Sequence, residues 1–248
     1  MFVSLGIPKE FRNREAQRLR VLGLTVADIA TVVGASQASV SRWTRDIMLT
    51  PEQAEANERK ARNVRAAASR ELSRGRRLRF QEDGRKRAHA GDPLHVGGCM
   101  LYWAEGSKSR NTVHLANSDP AMMEFFVSFL RDCFGLTSED FTFSINAYTN
   151  NGLTIDEIEL FWMDRLGLSR RCARKHQTNH YPTSSSGKKK AKLPYGVCSL
   201  KVKRSTWLVQ HIYGAIQEYS GIDQPDWLDG PTRPQARPTP LKAATPAG

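Results

Sequence analysis

The sequence predicts an α+β protein: three short amino-terminal helices, a basic helical linker, and a domain with a small mixed or antiparallel sheet. Three observations lead to this prediction. Residues 1–50 show helical periodicity, residues 51–92 are rich in Ala, Arg and Glu, and residues 93–222 hold most of the aromatic residues and mix helical with alternating patterns. Residues 223–248 contain six prolines and few apolar residues, which is typical of a disordered tail.

The first region is predicted to form three helices, because apolar residues recur there at helical spacing. Glycines separate the helices, and Thr25 and Ser36 are well placed to cap the second and third. The predicted helices are Arg12 to Leu22, Val26 to Val33 and Gln37 to Asp46, with inward residues Ala16, Leu19, Leu22, Val26, Ile29, Ala30, Val33, Val40 and Trp43.

A spacing pattern runs through the second and third helices. It consists of Gly23-Leu24-Thr25-Val26-Ala27-Asp28-Ile29-Ala30, Val33-Gly34-Ala35-Ser36 and Ser39-Val40-Ser41-Arg42-Trp43. The small Ala30 lets the helices approach, and Gly34 permits a sharp turn. The pattern resembles the resolvase-type helix-turn-helix, which implies that the third helix lies in the major groove of double-stranded DNA. The DNA-binding residues expected in this region are Ser36, Gln37, Ala38, Ser39, Ser41, Arg42 and Arg45. The alternative is a three-helix bundle used for protein contact.

The net charge of +12 is concentrated in two segments. Residues 54–91 hold 12 Lys and Arg against 5 Asp and Glu, a net +7, and residues 170–204 hold 11 against none, a net +11. Clustered cations favour a nucleic acid as the partner, because they contact phosphates. We therefore add a lysine-rich loop to the expected DNA-binding residues, namely Lys188, Lys189, Lys190 and Lys192. An anionic membrane surface is the rival partner, but neither segment has the bulky apolar face that an interfacial helix buries.

The basic linker, residues 51–92, is predicted to be an exposed helix that Gly75 and Gly84 interrupt. Two interpretations stay open. The segment is either a solvated linker or an arm that follows the DNA backbone.

Residues 93–222 alternate between helical and strand patterns. The predicted helices are Pro93 to Lys108, Ala121 to Phe134, Ile155 to Leu166 and Ser205 to Tyr219, and the predicted strands are Thr112 to Asn117, Phe141 to Tyr148, Lys175 to Tyr181 and Tyr195 to Val202. We expect the last two strands to form a hairpin and the helices to cover one face of the sheet.

The first helix of this domain ends with Leu101-Tyr102-Trp103-Ala104-Glu105-Gly106, followed by a strand and an amphipathic helix. This arrangement resembles the end of the LAGLIDADG helix of homing endonucleases and their regulatory relatives. Asn117-Ser118-Asp119-Pro120 resembles a wider group of bacterial and phage proteins with an amino-terminal helix-turn-helix. The resemblance implies that Glu105 is the catalytic and metal-ligating position, with Mg²⁺ as the metal if the domain cleaves DNA. The alternative, which we favour, is that Glu105 is an exposed or helix-capping acid.

A single such motif implies a homodimer, with residues 97–105 as the contact. Gly97, Gly98 and Ala104 would let two backbones approach closely. Met100 and Trp103, however, are bulky where the nucleases keep this helix slim. Regulators with this fold have lost cleavage, so the resemblance leaves two functions open.

The first hypothesis is a non-enzymatic, sequence-specific DNA-binding regulator that needs no cofactor and carries an inactive second domain. The alternative is a Mg²⁺-dependent endonuclease of homing type. A third hypothesis is a protein of a phage or mobile element that binds DNA without much sequence preference. A weaker pattern, Cys172, His176, His180 and Cys198, has residue types that bind zinc. The favoured interpretation is that the cysteines are ordinary core residues and the histidines face DNA. The sequence has no membrane-length apolar run, no secretory-signal pattern in its first residues and only four scattered cysteines, which predicts a cytoplasmic protein.

Overall fold

The computed structural model describes residues 8–149, 152–179 and 193–230. The chain divides into two compact units, Met1–Ser73 and Arg74–Gly248, which we call unit 1 and unit 2. Helices dominate both, and unit 2 contains a small mixed sheet, so the predicted α+β class is confirmed.

Unit 1 contains α1 (Lys9–Val21), α2 (Val26–Val33), α3 (Gln37–Trp43) and the first part of a long helix, α4 (Pro51–Ala88). Its small core is formed by α1, α2 and α3. The core residues are Ala16, Leu19, Ile29, Ala30, Val33 and Val40, with Leu24, Val26, Ala35 and Trp43 packed against them.

Local signals fix the ends of these helices. Thr25 Oγ1 accepts a hydrogen bond from the Asp28 amide at 3.1 Å, which caps α2. Gly34 ends α2 in the left-handed conformation, at φ +61°, as the predicted turn requires. Two details of the prediction are wrong. Leu22 follows the last residue of α1 and is 59% exposed, and α3 ends at Trp43, not Asp46.

The first turns of α4 belong to unit 1. The Lys60 ammonium lies 2.7 Å from the Asp28 carboxylate, and Asn57 Nδ2 donates to the Gly23 carbonyl at 2.9 Å. The prediction that two glycines interrupt this helix is wrong, since α4 is continuous from Pro51 to Ala88.

Unit 2 holds the last part of α4 and nine further elements. They are α5 (Pro93–Glu105), β1 (His114–Asn117), α6 (Pro120–Phe134), β2 (Phe141–Ala147), α7 (Ile155–Leu166), β3 (Gln177–Thr178), β4 (Val197–Val202), α8 (Thr206–Ser220) and α9 (Asp226–Asp229). Two short 3-10 turns, at Ser138–Asp140 and Arg170–Cys172, precede β2 and β3.

The described strands pair in the order β1-β4-β2-β3. β4 lies between β1 and β2 and is antiparallel to both, whereas β3 pairs with β2 in parallel. The predicted hairpin of the last two strands is therefore wrong. β4 alternates buried and more exposed residues along its length, and in the centre of the sheet it forms hydrogen bonds with a strand on each side. Pairing with the two-residue β3 would supply fewer hydrogen bonds.

Helices α5, α6 and α8 share the core of unit 2 with the buried residues of the strands. Gly98 lies against α6, where an added methyl group would come within 2.0 Å of the Phe129 ring, and Gly97 faces Phe125 in the same way at 2.9 Å. These two glycines thus provide a close approach inside the chain. They do not supply the open surface that we expected for a second copy.

A second close approach joins α4 to α8. A methyl group on Gly84 would lie 2.0 Å from the His211 carbonyl oxygen, and one on Gly214 would lie 2.0 Å from the Gln81 carbonyl oxygen. Beside this crossing, Gln81 Nε2 donates to Gln210 Oε1 at 2.8 Å in a buried position. Gly84 therefore serves packing between helices, which explains why it does not interrupt α4.

Residues 223–230 are folded, so the prediction that the disordered tail begins at residue 223 is wrong. Trp227 of α9 stacks on Tyr213 with ring centroids 4.6 Å apart, and Arg74 pairs with Asp229 at 2.7 Å. An indole with a buried partner outweighs the proline-rich composition of the segment. Residues 231–248 lie outside the described residues.

All four cysteines are free thiols. None of the helices in the described ranges is both long and apolar enough to cross a membrane.

Candidate nucleic-acid interface

One side of α3 is open to solvent. Gln37, Ala38, Ser41 and Arg42 are exposed on it, and Arg45 is exposed just beyond its end. The opposite side faces the core through Val40, which is fully buried. Because the core residues fix the orientation of the helix, the five exposed residues form one continuous strip, which we call the α3 strip.

The α3 strip carries two arginines whose charges are uncompensated. Within the described ranges, no ion pair or hydrogen bond engages the guanidinium group of Arg42 or Arg45. Arginine of this kind, with its fork of donors free, can bind phosphate or the O6 and N7 atoms of guanine.

Ser36 and Ser39, two further residues predicted to bind DNA, are used inside the helix. Ser36 Oγ accepts from the Ser39 amide at 3.2 Å, and the two hydroxyl groups lie 2.9 Å apart. This pair caps α3. Its structural role is therefore clear, and it lies beside the α3 strip.

Residues 62–72 of α4 are exposed on every side of the helix. Arg62 pairs with Glu58 at 3.2 Å, while Arg65 and Arg70 have no described acidic partner. A helix that is polar all round is stabilised by its neighbours in sequence and not by a core. Both predicted roles of this segment, solvated linker and backbone-tracking arm, fit such a surface.

In unit 2, the sheet turns one face away from the core. Burial alternates along β2 and β4, so every second side chain points outward. The register aligns His114 and Thr142 with Lys201, and Ala116 and Ser144 with Ser199. The outward positions of the three longer strands are His114, Ala116, Thr142, Ser144, Asn146, Val197, Ser199 and Lys201, and none is acidic. We call this the sheet face.

Two side chains of the sheet face contact each other. His114 Nε2 lies 2.8 Å from Ser199 Oγ. Partial burial, and secondly the charge of Lys201, lower the pKa of His114, so the imidazole is neutral at pH 7. The sheet face therefore presents hydroxyl, amide and imidazole groups around the ammonium of Lys201.

A basic edge lies next to the sheet face. Arg171, Arg174 and Lys175 are exposed just before β3, and the Arg174 amide donates to the Phe143 carbonyl of β2 at 2.8 Å. Because β3 pairs with β2, these cations lie along the border of the sheet. They belong to the acid-free segment, residues 170–204, that the sequence singled out.

A buried acid–imidazole pair holds this edge, and the sequence analysis missed it. His176 Nε2 donates to Glu159 Oε2 at 2.6 Å, and His176 Nδ1 accepts from the Ile145 amide at 3.1 Å. Arg170 Nε lies 3.1 Å from the other Glu159 oxygen. The signal was present, since Glu159 sits between the inward-facing Ile158 and Trp162, and a buried carboxylate needs partners.

These contacts also bear on the candidate zinc ligands. Both ring nitrogens of His176 are occupied within the fold. Cys172 Sγ lies 3.1 Å from the Ser138 carbonyl oxygen, and Cys198 is buried within β4. His180 lies outside the described residues. The structure thus assigns Cys172 and His176 to packing and hydrogen bonding.

Glu105 is exposed at the last turn of α5. Its Oε2 accepts from Asn117 Nδ2 at 3.4 Å, a long hydrogen bond. Burial lowers the pKa of the neighbouring Lys108, and the Glu105 charge opposes that shift. Mg²⁺ requires several oxygen ligands, and in the described ranges no group of three or more His, Cys, Asp or Glu could hold a metal. Glu105 alone in one chain therefore does not fit a catalytic metal.

The predicted DNA-binding residues of the lysine-rich loop, Lys188, Lys189, Lys190 and Lys192, lie outside the described residues. The structure brings Gln37, Ala38, Ser41, Arg42 and Arg45 together and keeps Glu105 in the other unit.

Comparison of the chain with protein-family models, with curated proteins and with solved structures found no match.

Proposed function

We propose that this chain is a sequence-specific DNA-binding protein whose α3 strip contacts base edges in the major groove. The observation that carries the proposal is the α3 strip itself. It places Gln37, Arg42 and Arg45 on the solvent side of a helix whose other side is fixed by the core. Gln can pair with adenine and Arg with guanine in bidentate fashion.

The second unit is proposed to add affinity. The sheet face and the basic edge offer hydroxyl groups, amides and cations with no acid among the outward positions. Such groups bind phosphate oxygens and position a protein on the duplex without reading its sequence. With Lys188, Lys189, Lys190 and Lys192 added, this unit is expected to supply most of the salt dependence.

Regulation, without cleavage, is the role that we favour. Homing-type cleavage would require Glu105 to meet further metal ligands from another copy of the chain, since the described ranges contain no group of three or more His, Cys, Asp or Glu that could hold a metal. No contact of Glu105 favours that arrangement over a surface acid bonded to Asn117. The resemblance to the regulatory relatives of the nucleases is therefore the better guide.

A homodimer remains part of the proposal, on a surface different from the two glycines. Trp103 is 37% exposed and Phe125 is 40% exposed, and Ala104 lies between Trp103 and Glu105 on the open side of α5. Sedimentation of the full chain should show a dimer that Ala104→Arg dissociates. If the parent chain and Ala104→Arg are both monomers at tens of micromolar, any dimer is too weak to support this contact.

Selection of binding sites from a random pool of duplex DNA tests the function. The full chain should enrich a short motif, and Arg42→Ala should lose preference at one or two positions of it. Arg14→Ala is the matched control, because Arg14 is an exposed arginine of α1 and is not part of the α3 strip. Failure of the parent chain to enrich any motif would contradict the proposal.

A further inference from the structure

A groove of about 400 Å³ opens on unit 2, apart from the sheet face. It is lined by residues of α4, α6 and α8, and by Cys133 and Phe134 at the end of α6 in particular. The complete lining is Phe80, Asp83, Arg87, Cys133, Phe134, Trp207 and His211. Its volume lies in the range of pockets that take a whole small molecule.

Three aromatic side chains form the apolar walls of the groove. Phe134 meets Trp207 edge-to-face with ring centroids 5.9 Å apart, and it meets His211 in the same way at 5.1 Å. Trp207 is 36% exposed, and Phe80 is half-buried on the α4 side. Phe134 contacts both Trp207 and His211, so the orientation of these rings is fixed in advance of any ligand.

The floor of the groove is electrically neutral at pH 7. Burial, with a smaller contribution from His95, lowers the pKa of His211 to about 4. His211 Nε2 lies 3.1 Å from His95 Nε2, a contact that requires at least one neutral ring. Burial also raises the pKa of the Cys133 thiol, so this group stays protonated.

The two charged residues of the lining differ in their partners. Arg87 is compensated, because its Nη2 lies 3.0 Å from Asp92 Oδ2. Asp83 is exposed, and within the described ranges no hydrogen bond or ion pair engages its carboxylate. Its charge reaches the groove, because it raises the pKa of His211, whereas the charge of Arg87 lowers that pKa by less. One uncompensated negative charge therefore stands beside aromatic walls.

We propose that this groove binds a small alkylammonium cation. Asp83 would supply the counter-charge, while Phe80, Phe134 and Trp207 supply the apolar and cation–π contacts. An anionic ligand would meet Asp83, whereas Arg87, the cation of the described lining, is already paired with Asp92. A neutral ligand would leave the charge of Asp83 unused. A free small molecule fits better than a single lysine side chain, because the groove is larger than such a chain requires.

Binding of choline to the full chain, followed by the indole NMR signals, tests the proposal. Choline should shift the Trp207 indole signal, assigned through Trp207→Phe, in a saturable way. Asp83→Asn keeps the size of the side chain and removes its charge, so the dissociation constant should rise about fivefold to tenfold. Glu82→Gln is the matched control, since Glu82 pairs with Arg85 outside the groove and its removal should leave binding unchanged.

A neutral isostere separates charge from shape. The alcohol 3,3-dimethylbutan-1-ol replaces the choline nitrogen with carbon and should bind at least about fivefold more weakly than choline. Equal binding of the two ligands, an equal effect of Asp83→Asn and Glu82→Gln, or no saturable shift with choline would overturn the proposal. DNA binding by the same variants should stay unchanged, which keeps this test separate from the proposed function.

Discussion

The two units are stabilised in different ways. Unit 1 has a core of six buried residues, and its turns are fixed by contacts between residues three to five apart, such as Thr25 with Asp28 and Ser36 with Ser39. Unit 2 has a large aromatic core and depends on contacts across more than a hundred residues, such as Gln81 with Gln210. A small unit with local signals can display a strip of side chains, whereas the larger unit can enclose grooves and buried polar groups.

The largest expected effect concerns the crossing of α4 and α8 in unit 2. Gly214→Ala places a methyl group 2.0 Å from the Gln81 carbonyl oxygen, so the helices must separate. We expect the free energy of unfolding of unit 2 to fall by at least about 3 kcal/mol, although alanine favours helix formation. Hydrogen exchange of amides in α8 measures this loss.

Gly75→Ala sharpens that result, because Gly75 has open space around it in the same long helix. It should stabilise α4 by up to about 1 kcal/mol. Similar losses for both variants would show that helix crossing is not the cause.

The next largest difference between the two units is expected in how their stability responds to acid. The pKa of His211 is about 4 in the folded chain against 6.5 for a free imidazole, chiefly because of burial. Below pH 6.5 His211 binds a proton in the unfolded chain but stays neutral in the folded chain. Unit 2 therefore loses stability as the pH falls from 6.5 to about 4. The loss at His211 should reach about 2–3 kcal/mol.

Unit 1 contains no histidine, and hydrogen bonds lower the pKa of its carboxylates Glu15 and Glu52 from 4.5, so their contribution is lost only as the pH falls through that value. Unit 1 should therefore respond only at the acid end of this range. The pKa of Asp28 is lowered, chiefly by the hydrogen bond from Lys60, so stability from that group is lost only below its ordinary value of 3.8. Hydrogen exchange resolved by residue between pH 7 and pH 4 compares the units directly. His211→Gln should flatten the response of unit 2, and an unchanged slope would contradict the assignment.

A smaller effect is expected at the cap of α3. Ser36→Ala removes the oxygen that accepts from the Ser39 amide, which should destabilise α3 by about 1 kcal/mol. Faster amide exchange at Val40 and Thr44 would report the loss. Ser41→Ala changes an exposed hydroxyl of the same helix without touching the cap, and it should leave these amides unaffected.

The same difference explains how far the sequence could predict the structure. The ends of α2 and the start of α3 follow from Thr25, Gly34 and Ser36, which act within one turn. The pairing of β3 and β4 could not be predicted from their own residues, because each strand joins β2 across a long stretch of chain. Gly84 looked like a helix interruption because the helix that packs against it, α8, lies far away in sequence.

One part of the candidate interface could be predicted from local sequence, and another part could not. The α3 strip follows from helical periodicity and a motif, and the structure places Gln37, Arg42 and Arg45 on its exposed side. The sheet face depends on the register of three strands, so sequence patterns alone could not assemble it. The groove that contains Asp83 is formed where three helices meet, so no single segment of the sequence could predict it.

The most direct test of the account is the ratio of affinities for a selected site and for random duplex DNA. Arg42→Ala in the α3 strip should lower affinity for the selected site by about 1–3 kcal/mol and leave binding to random DNA almost unchanged. Lys201→Ala in the sheet face should weaken both about equally and reduce the salt slope by about one. Equal losses on selected and random DNA for Arg42→Ala would contradict the central claim that α3 reads the sequence.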